Sequence, residues 1–184
     1  MTILRRSLIP AVFMALAFAG PCEIALADDF LSAFKAGVLA HDVPDLWSGF
    51  SVEDRWVDLN FEAQFKPSLM VFGGTLRPVI GGTVNTNGDT SHLYANAHWE
   101  IDGPGNLFFA AGFGAAIHDG ETGQGDPNRK WLGSRVLFHI PFEAGIHLDA
   151  HNDLSIYFEH TSNANTMFHN EGLDRIGVRY GYRF

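Results

Sequence analysis

The chain has a single cysteine, Cys22, and it lies in a leader-like segment, so disulfides and cysteine chemistry are excluded from the mature protein. Positive charge is scarce as well. Twelve Lys and Arg stand against 21 Asp and Glu, a formal charge of −9 at pH 7 that speaks against nucleic acid as a partner. Beyond the leader no apolar run approaches the roughly 20 residues of a spanning helix, and no long stretch has helical periodicity. No linker, low-complexity tract or internal repeat divides the chain.

The start differs from the rest. Arg5 and Arg6 precede an apolar run from Leu8 to Gly20, and Ala25-Leu26-Ala27 forms a small-residue cleavage site. Residues 1–27 are therefore predicted to be a cleaved secretory signal, with one domain over residues 28–184. Pro21 before Cys22 argues against a lipid-modified cysteine.

What fills the remainder is alternation. Val57, Leu59, Phe61, Ala63 and Phe65 oppose Asp58, Asn60, Glu62, Gln64 and Lys66, and Leu93 to Ile101 and Ile176 to Phe184 repeat the pattern. Eight such runs are expected, near 31–41, 55–66, 69–80, 91–101, 106–118, 132–148, 152–163 and 174–184. Links after runs two, four and six are short, and those after runs one, three, five and seven are long. That asymmetry marks an outer-membrane barrel with both termini in the periplasm. The predicted fold is all-β: an eight-stranded antiparallel up-and-down transmembrane β-barrel with a polar, side-chain-filled interior.

In such a barrel the apolar faces meet lipid and the charged faces point inward. Arg135, His139, Glu143, His147, Glu159, Arg175, Arg179 and Arg183 would supply both signs inside. Pro141 is out of place within a strand, since it removes a ladder donor. Trp47, Trp56, Trp99 and Trp131 read as interfacial belt residues. The final aromatic, Phe184, resembles the terminal signal that the outer-membrane assembly machinery reads.

One constellation carries chemistry. His160 and Ser162 have the parity of Leu154, Ile156 and Phe158, and Asp174 that of Ile176 and Val178, so all three are placed on the outer wall. Ten steps of about 3.3 Å from Asp174 to Phe184, at a tilt of about 40°, span the apolar belt and set the three at the outer leaflet. Ser162 is the candidate nucleophile, His160 the base and acid, and Asp174 the group that orients the ring. Asn163 and nearby loop amides are candidate oxyanion donors, with Asn170 and Gly172 shaping the loop, Gly172 through a positive φ.

The stretches His160-Thr161-Ser162-Asn163-Ala164 and Asn170-Glu171-Gly172-Leu173-Asp174 resemble the lipid A 3-O-deacylase family, the PagL type, whose signature is His-x-Ser-Asn-Ala and then Asn-x-Gly-x-Glu. The resemblance implies an eight-stranded barrel with a lipid-facing Ser-His-acid triad that hydrolyses the ester at position 3 of lipid A. It carries over Ser162, His160 and Asp174 as triad members and Asn163 as an oxyanion residue. One departure is plain: Asp174 stands where the family has glutamate, and Glu171 is the other acid nearby. Two other readings remain open, a non-catalytic structural or adhesive barrel and an outer-membrane phospholipase. No cofactor is called for, and the histidines suggest a hydrogen-bonded interior rather than a metal site. Arg129 and Lys130 are candidates for lipid A phosphates or a solvated loop pair. A homodimer is compatible with the sequence, which does not fix the oligomeric state.

Overall fold

The computed structural model describes residues 30–54 and 56–184, so the segment read as a signal lies outside the described residues. Nine strands follow one another: β1 (Leu31–Ala40), β2 (Val57–Phe65), β3 (Leu69–Val71), β4 (Gly74–Asn85), β5 (His92–Asp102), β6 (Leu107–His118), β7 (Val136–His147), β8 (Asn152–Ser162) and β9 (Leu173–Arg183). Each pairs antiparallel with its neighbours, β1 pairs with both β2 and β9, and β2 closes the circle on β4. β2 and β3 lie end to end along β4, on Val79–Asn85 and on Gly74–Leu76, and together form one wall strand. The described residues therefore make a closed barrel of eight strands, in which the ladder satisfies the backbone groups that lipid cannot.

The third expected run needs correction. The chain reverses at Phe72 and Gly73, which hold φ of 51° and 80°, the left-handed geometry that a tight hairpin turn requires. Pro67 and Ser68 thus interrupt a strand instead of turning the chain, and β4 extends to Asn85. The following link shrinks to 86–91, while 41–56, 119–135 and 163–172 remain long at the same end. The opposite end has only 72–73, 103–106 and 148–151. β1 begins and β9 ends there, with the Phe184 N–H donating to Ser32 O at 3.0 Å.

Burial is inverted, as expected for a membrane barrel. Asp58, Asn60, Glu62 and Gln64 are buried, while Val57, Leu59 and Phe61 are exposed on the outer face. Arg179 reaches Glu62 at 3.0 Å and Glu143 at 3.2 Å, and Lys35 reaches Glu143 at 3.0 Å. Arg175 bonds Asp58 and lies 3.3 Å from Glu159. Buried charges survive because each meets an opposite charge and further donors or acceptors. Arg135, placed inside by its parity, is instead exposed before β7, donating to His118 O and Gly120 O.

Pro141 is accommodated by its neighbours. The β6–β7 ladder is interrupted between Ala111↔Phe142 and Gly114↔His139, so the missing N–H falls where no pair is made. Gly112 gives the ring its space: a Cβ there would lie 2.8 Å from Pro141 Cγ and 3.3 Å from Ala97 O. Gly112→Ala is expected to destabilise the barrel by about 1–3 kcal/mol through overpacking. The urea midpoint of barrel refolded in detergent measures this, and an unchanged midpoint would refute the steric account.

Candidate active site

The top of β8 and the start of β9 are direct neighbours, with His160 paired to Asp174 across the ladder. Cross-strand partners project their side chains to the same face, which here is the outer wall that carries Phe158 and Ile156. His160 Nδ1 lies 2.6 Å from Asp174 Oδ1, and His160 Nε2 lies 2.9 Å from Ser162 Oγ. An imidazole that donates from Nδ1 to a carboxylate keeps a lone pair at Nε2 for the hydroxyl proton. The three residues singled out from the sequence are thus brought into one hydrogen-bonded chain.

They do not lie bare to lipid. Asp174 is 0% exposed and His160 4%, because the 41–56 connection folds over them. Trp47 stacks on the His160 ring with centroids 4.5 Å apart and planes 10° from parallel. The Ser48 N–H and Oγ–H both donate to Asp174 Oδ2, at 2.6 and 2.9 Å, and the Val43 N–H donates to Asp174 O at 3.0 Å. Trp47 is therefore part of the site and not only of an interfacial belt. Neither it nor Ser48 carried a motif or a strand parity that would have singled it out.

The remaining candidates occupy the loops. The Asn163 side chain donates to Leu132 O at 3.0 Å and to His169 O at 2.7 Å. Both its amide hydrogens are engaged, so the oxyanion role expected of this side chain gives way to a tie between two connections. Asn170 Oδ1 accepts from the Asn165 N–H at 2.7 Å, which shapes the 163–172 loop. Gly172 is needed for space and not for a positive φ, because a Cβ there would come within 2.8 Å of His160 Cε1. Glu171 is occupied elsewhere, accepting from the Trp131 N–H at 2.5 Å.

Lys130 corrects a second expectation. It is fully buried, ion-paired to Asp42 at 2.9 Å, and donates to Phe50 O at 2.6 Å and Gly172 O at 2.7 Å. A lysine enclosed in this way clamps three connections together and cannot meet a lipid phosphate. Arg129 donates to Gly88 O at 2.9 Å beside Glu53.

Beneath the loops, His41 sits between Asp58 at 2.7 Å and Glu53 at 2.9 Å. Burial works against its charged form, but the bonds to Asp58 and Glu53 outweigh burial and the nearby Arg175 and raise it above its ordinary 6.5. Burial likewise pushes Glu53 up, and His41 and Thr90 overcome it, lowering the carboxyl from 4.5 to about 2. The Glu53 contribution to stability is present above about pH 4.5 and fades as pH falls toward about 2. The His41 contribution is complete below 6.5 and is lost as pH rises through its raised value. Amide protection factors in residues 41–56 are expected to peak between these limits and to drop at alkaline pH. A profile that is flat across both limits would show that the pair does not hold the loop.

Among the described residues one group has metal-ligand spacing: His92, His139 and Glu159, in the barrel interior. All but one of its ring nitrogens and both its carboxylate oxygens are already partnered, His92 Nε2 being the exception. Glu159 accepts from Thr83 and Tyr157, and Arg175 lies 2.9 Å from His92 Nδ1 and 3.3 Å from Glu159. A guanidinium against two of the three residues opposes a cation, and the group is accounted for as polar core.

Comparison with known proteins supports this architecture. The crystal structure of the outer membrane enzyme PagL is similar with a TM-score of 0.64 and 18% identity, covering 83% of this chain and 100% of that one. A designed transmembrane β-barrel (TM-score 0.48, 13% identity, 84% of this chain and 97% of that one) and Ail of Yersinia pestis (0.44, 11%, 83% and 99%) are less similar. None of the curated proteins compared matches the chain. A family model described as lipid A 3-O-deacylase (PagL) matches residues 80–183, a span that includes His160, Ser162 and Asp174 and excludes Trp47 and Ser48. The protein is an outer-membrane β-barrel, and its chain belongs to the lipid A 3-O-deacylase (PagL) family.

Proposed function

We propose that the protein is a serine esterase that removes the 3-O-linked acyl chain of lipid A in the outer leaflet. The observation that carries this reading is the continuous chain Asp174–His160–Ser162, with bonds of 2.6 and 2.9 Å, at the lipid-facing rim of the barrel. A serine hydroxyl is a weak nucleophile until a neighbouring base takes its proton, and an imidazole held by a carboxylate is such a base.

Ser162 Oγ attacks the ester carbonyl carbon while His160 Nε2 takes the hydroxyl proton. The resulting oxyanion needs N–H donors, and the backbone amides of Asn163 and Ala164 in the turn at 163–165 are the candidates, since the Asn165 N–H is already given to Asn170 Oδ1. Ala164 and Asn165 in that turn hold φ of 52° and 62°. Collapse of the intermediate breaks the bond to the sugar oxygen, which leaves with the proton from His160. Water then attacks the acyl-enzyme, His160 takes its proton and returns it to Ser162, and the fatty acid departs. Asp174 holds the ring and stabilises the imidazolium throughout.

A lipid substrate also suits the surroundings. Trp47 lies 6.4 Å from Phe142, and Phe142 stacks with Phe158 at 6.4 Å, so an aromatic wall runs from the site toward the membrane core. Mass spectrometry of lipid A from Gram-negative cells expressing the wild type or Ser162→Ala tests the proposal. Loss of the 3-position chain with the wild type alone is the expected result. An intact ester in both would overturn it, and fatty acid release from phospholipid vesicles in place of lipid A would make the protein a phospholipase.

A further inference from the structure

We propose that the 41–56 connection is a working part of the site, with Ser48 as the positioning residue for Asp174; this rests on the esterase reading above. A carboxylate that orients a histidine must itself be held, because rotation about its last bond carries the accepting oxygen away from Nδ1. Asp174 is held from one side by His160 and from the other by a single residue. Its Oδ1 faces the ring at 2.6 Å, while its Oδ2 takes two donors from Ser48, the N–H at 2.6 Å and the Oγ–H at 2.9 Å. Both oxygens are thereby fixed, and the short side chain has no freedom left.

The imidazole is confined from the same direction. Trp47, next to Ser48, covers one face of the His160 ring, and Gly172 packs at its Cε1 edge, where a Cβ would come to 2.8 Å from His160 and 3.4 Å from Ser48 Cβ. One dipeptide from the start of the barrel therefore sets both the acid and the base, which come from its last two strands.

A serine on a loop near an acid often does no more than fasten the loop. Here the loop is fastened without it. Lys130 binds Phe50 O, Asp42 accepts from the Val52 and Glu53 N–H groups at 2.7 and 2.9 Å, and His41 bridges Glu53 to Asp58. Ser48 is thus presented to Asp174 by a framework that stands on other bonds.

The test is the pH dependence of lipid A deacylation by the full-length mature barrel in detergent micelles, with Ser48→Ala, Ser48→Thr and Ser162→Ala compared to the wild type. Loss of one charge-assisted hydrogen bond in Ser48→Ala is expected to lower kcat about tenfold with little change in KM. The acid limb of kcat/KM should also move to higher pH. Without the hydroxyl donor Asp174 keeps more of its negative charge on the side of the ring it faces. The charged partner of His160 is Asp174 on β9, and Lys130, which donates to Gly172 O, is ion-paired to Asp42 in the loops; the substitution leaves these charges unchanged. Ser48→Thr keeps the hydroxyl and should restore both the rate and the pH limb.

A purely structural serine would lower the unfolding midpoint and leave the pH profile and kcat of the folded fraction as in the wild type, and that result would overturn the proposal. If Ser48→Ala fails to fold, a Ser48→Thr enzyme with a displaced acid limb would do the same. Equal activity of wild type and Ser162→Ala would remove the esterase reading itself, an outcome distinct from an active wild type that is indifferent to Ser48.

Discussion

Ser162→Ala is expected to lower the rate of lipid A deacylation by about 10³-fold or more, with the barrel still folded. On the esterase reading, removing Oγ takes away the nucleophile, while Ser162 itself carries little of the fold. Its Oγ bonds His160 Nε2, and its backbone stays in the β7–β8 ladder opposite Phe138. His160→Ala should cost a similar factor, since a hydroxyl without its base is again a weak nucleophile. The two losses should not multiply, because groups that act as one unit fail together. The double variant is therefore expected to be no slower than either single one. Fatty acid release from lipid A in mixed micelles measures all three, and the heat-dependent mobility shift of folded barrels checks the fold. Additive losses, or an active Ser162→Ala, would mean that the two residues do not form one catalytic unit.

Arg179→Ala carries the largest expected effect on stability. The guanidinium is buried between Glu62 at 3.0 Å and Glu143 at 3.2 Å and stacks on the Tyr157 ring at 4.0 Å. Truncation leaves two buried carboxylates with one ammonium, Lys35, which already serves Glu143 at 3.0 Å. Breaking a buried pair by removing one partner costs about 3–5 kcal/mol, because the orphaned charge cannot reach water. The urea midpoint in detergent should fall accordingly, and a second change, Glu62→Gln, should recover part of the loss by removing the unmatched charge. A midpoint unaffected by Arg179→Ala would mean that the interior admits enough water to solvate both carboxylates.

Much of this architecture was legible in the chain because a membrane barrel writes itself in period two. The faces of β2, β5 and β9 could be assigned from alternation, and the same parity set His160, Ser162 and Asp174 on one wall. The exceptions arise where a single residue's conformation or a distant contact decides. Phe72 is no turn former by type, and the apolar pattern runs through it, so alternation alone implies a continuous strand where the β3–β4 hairpin stands. Lys130 has the look of a loop charge in the sequence because burial of a lysine depends on acceptors that the folded connections bring, Asp42, Phe50 O and Gly172 O. The site roles of Ser48 and Trp47 are invisible in the sequence for the same reason: their partners lie more than a hundred residues away, and no local spacing announces them. Gly172 stands out in the sequence for a backbone reason, a positive φ, whereas the structure needs the absence of its Cβ.

The pairing of β1 with β9 has a consequence for biogenesis. The first strand and the last meet at a seam, Val38 against Val178 and Ala40 against Ile176, whose bonds cannot form until the chain has been laid down in full. Asp174 belongs to the closing strand, and the dipeptide that holds it follows the opening one. A barrel whose seam is still open therefore lacks the Ser48 donors that hold the second oxygen of Asp174. On the esterase reading, competence for hydrolysis arrives with closure in the membrane, and the chain in transit through the periplasm is inert toward the lipids it passes.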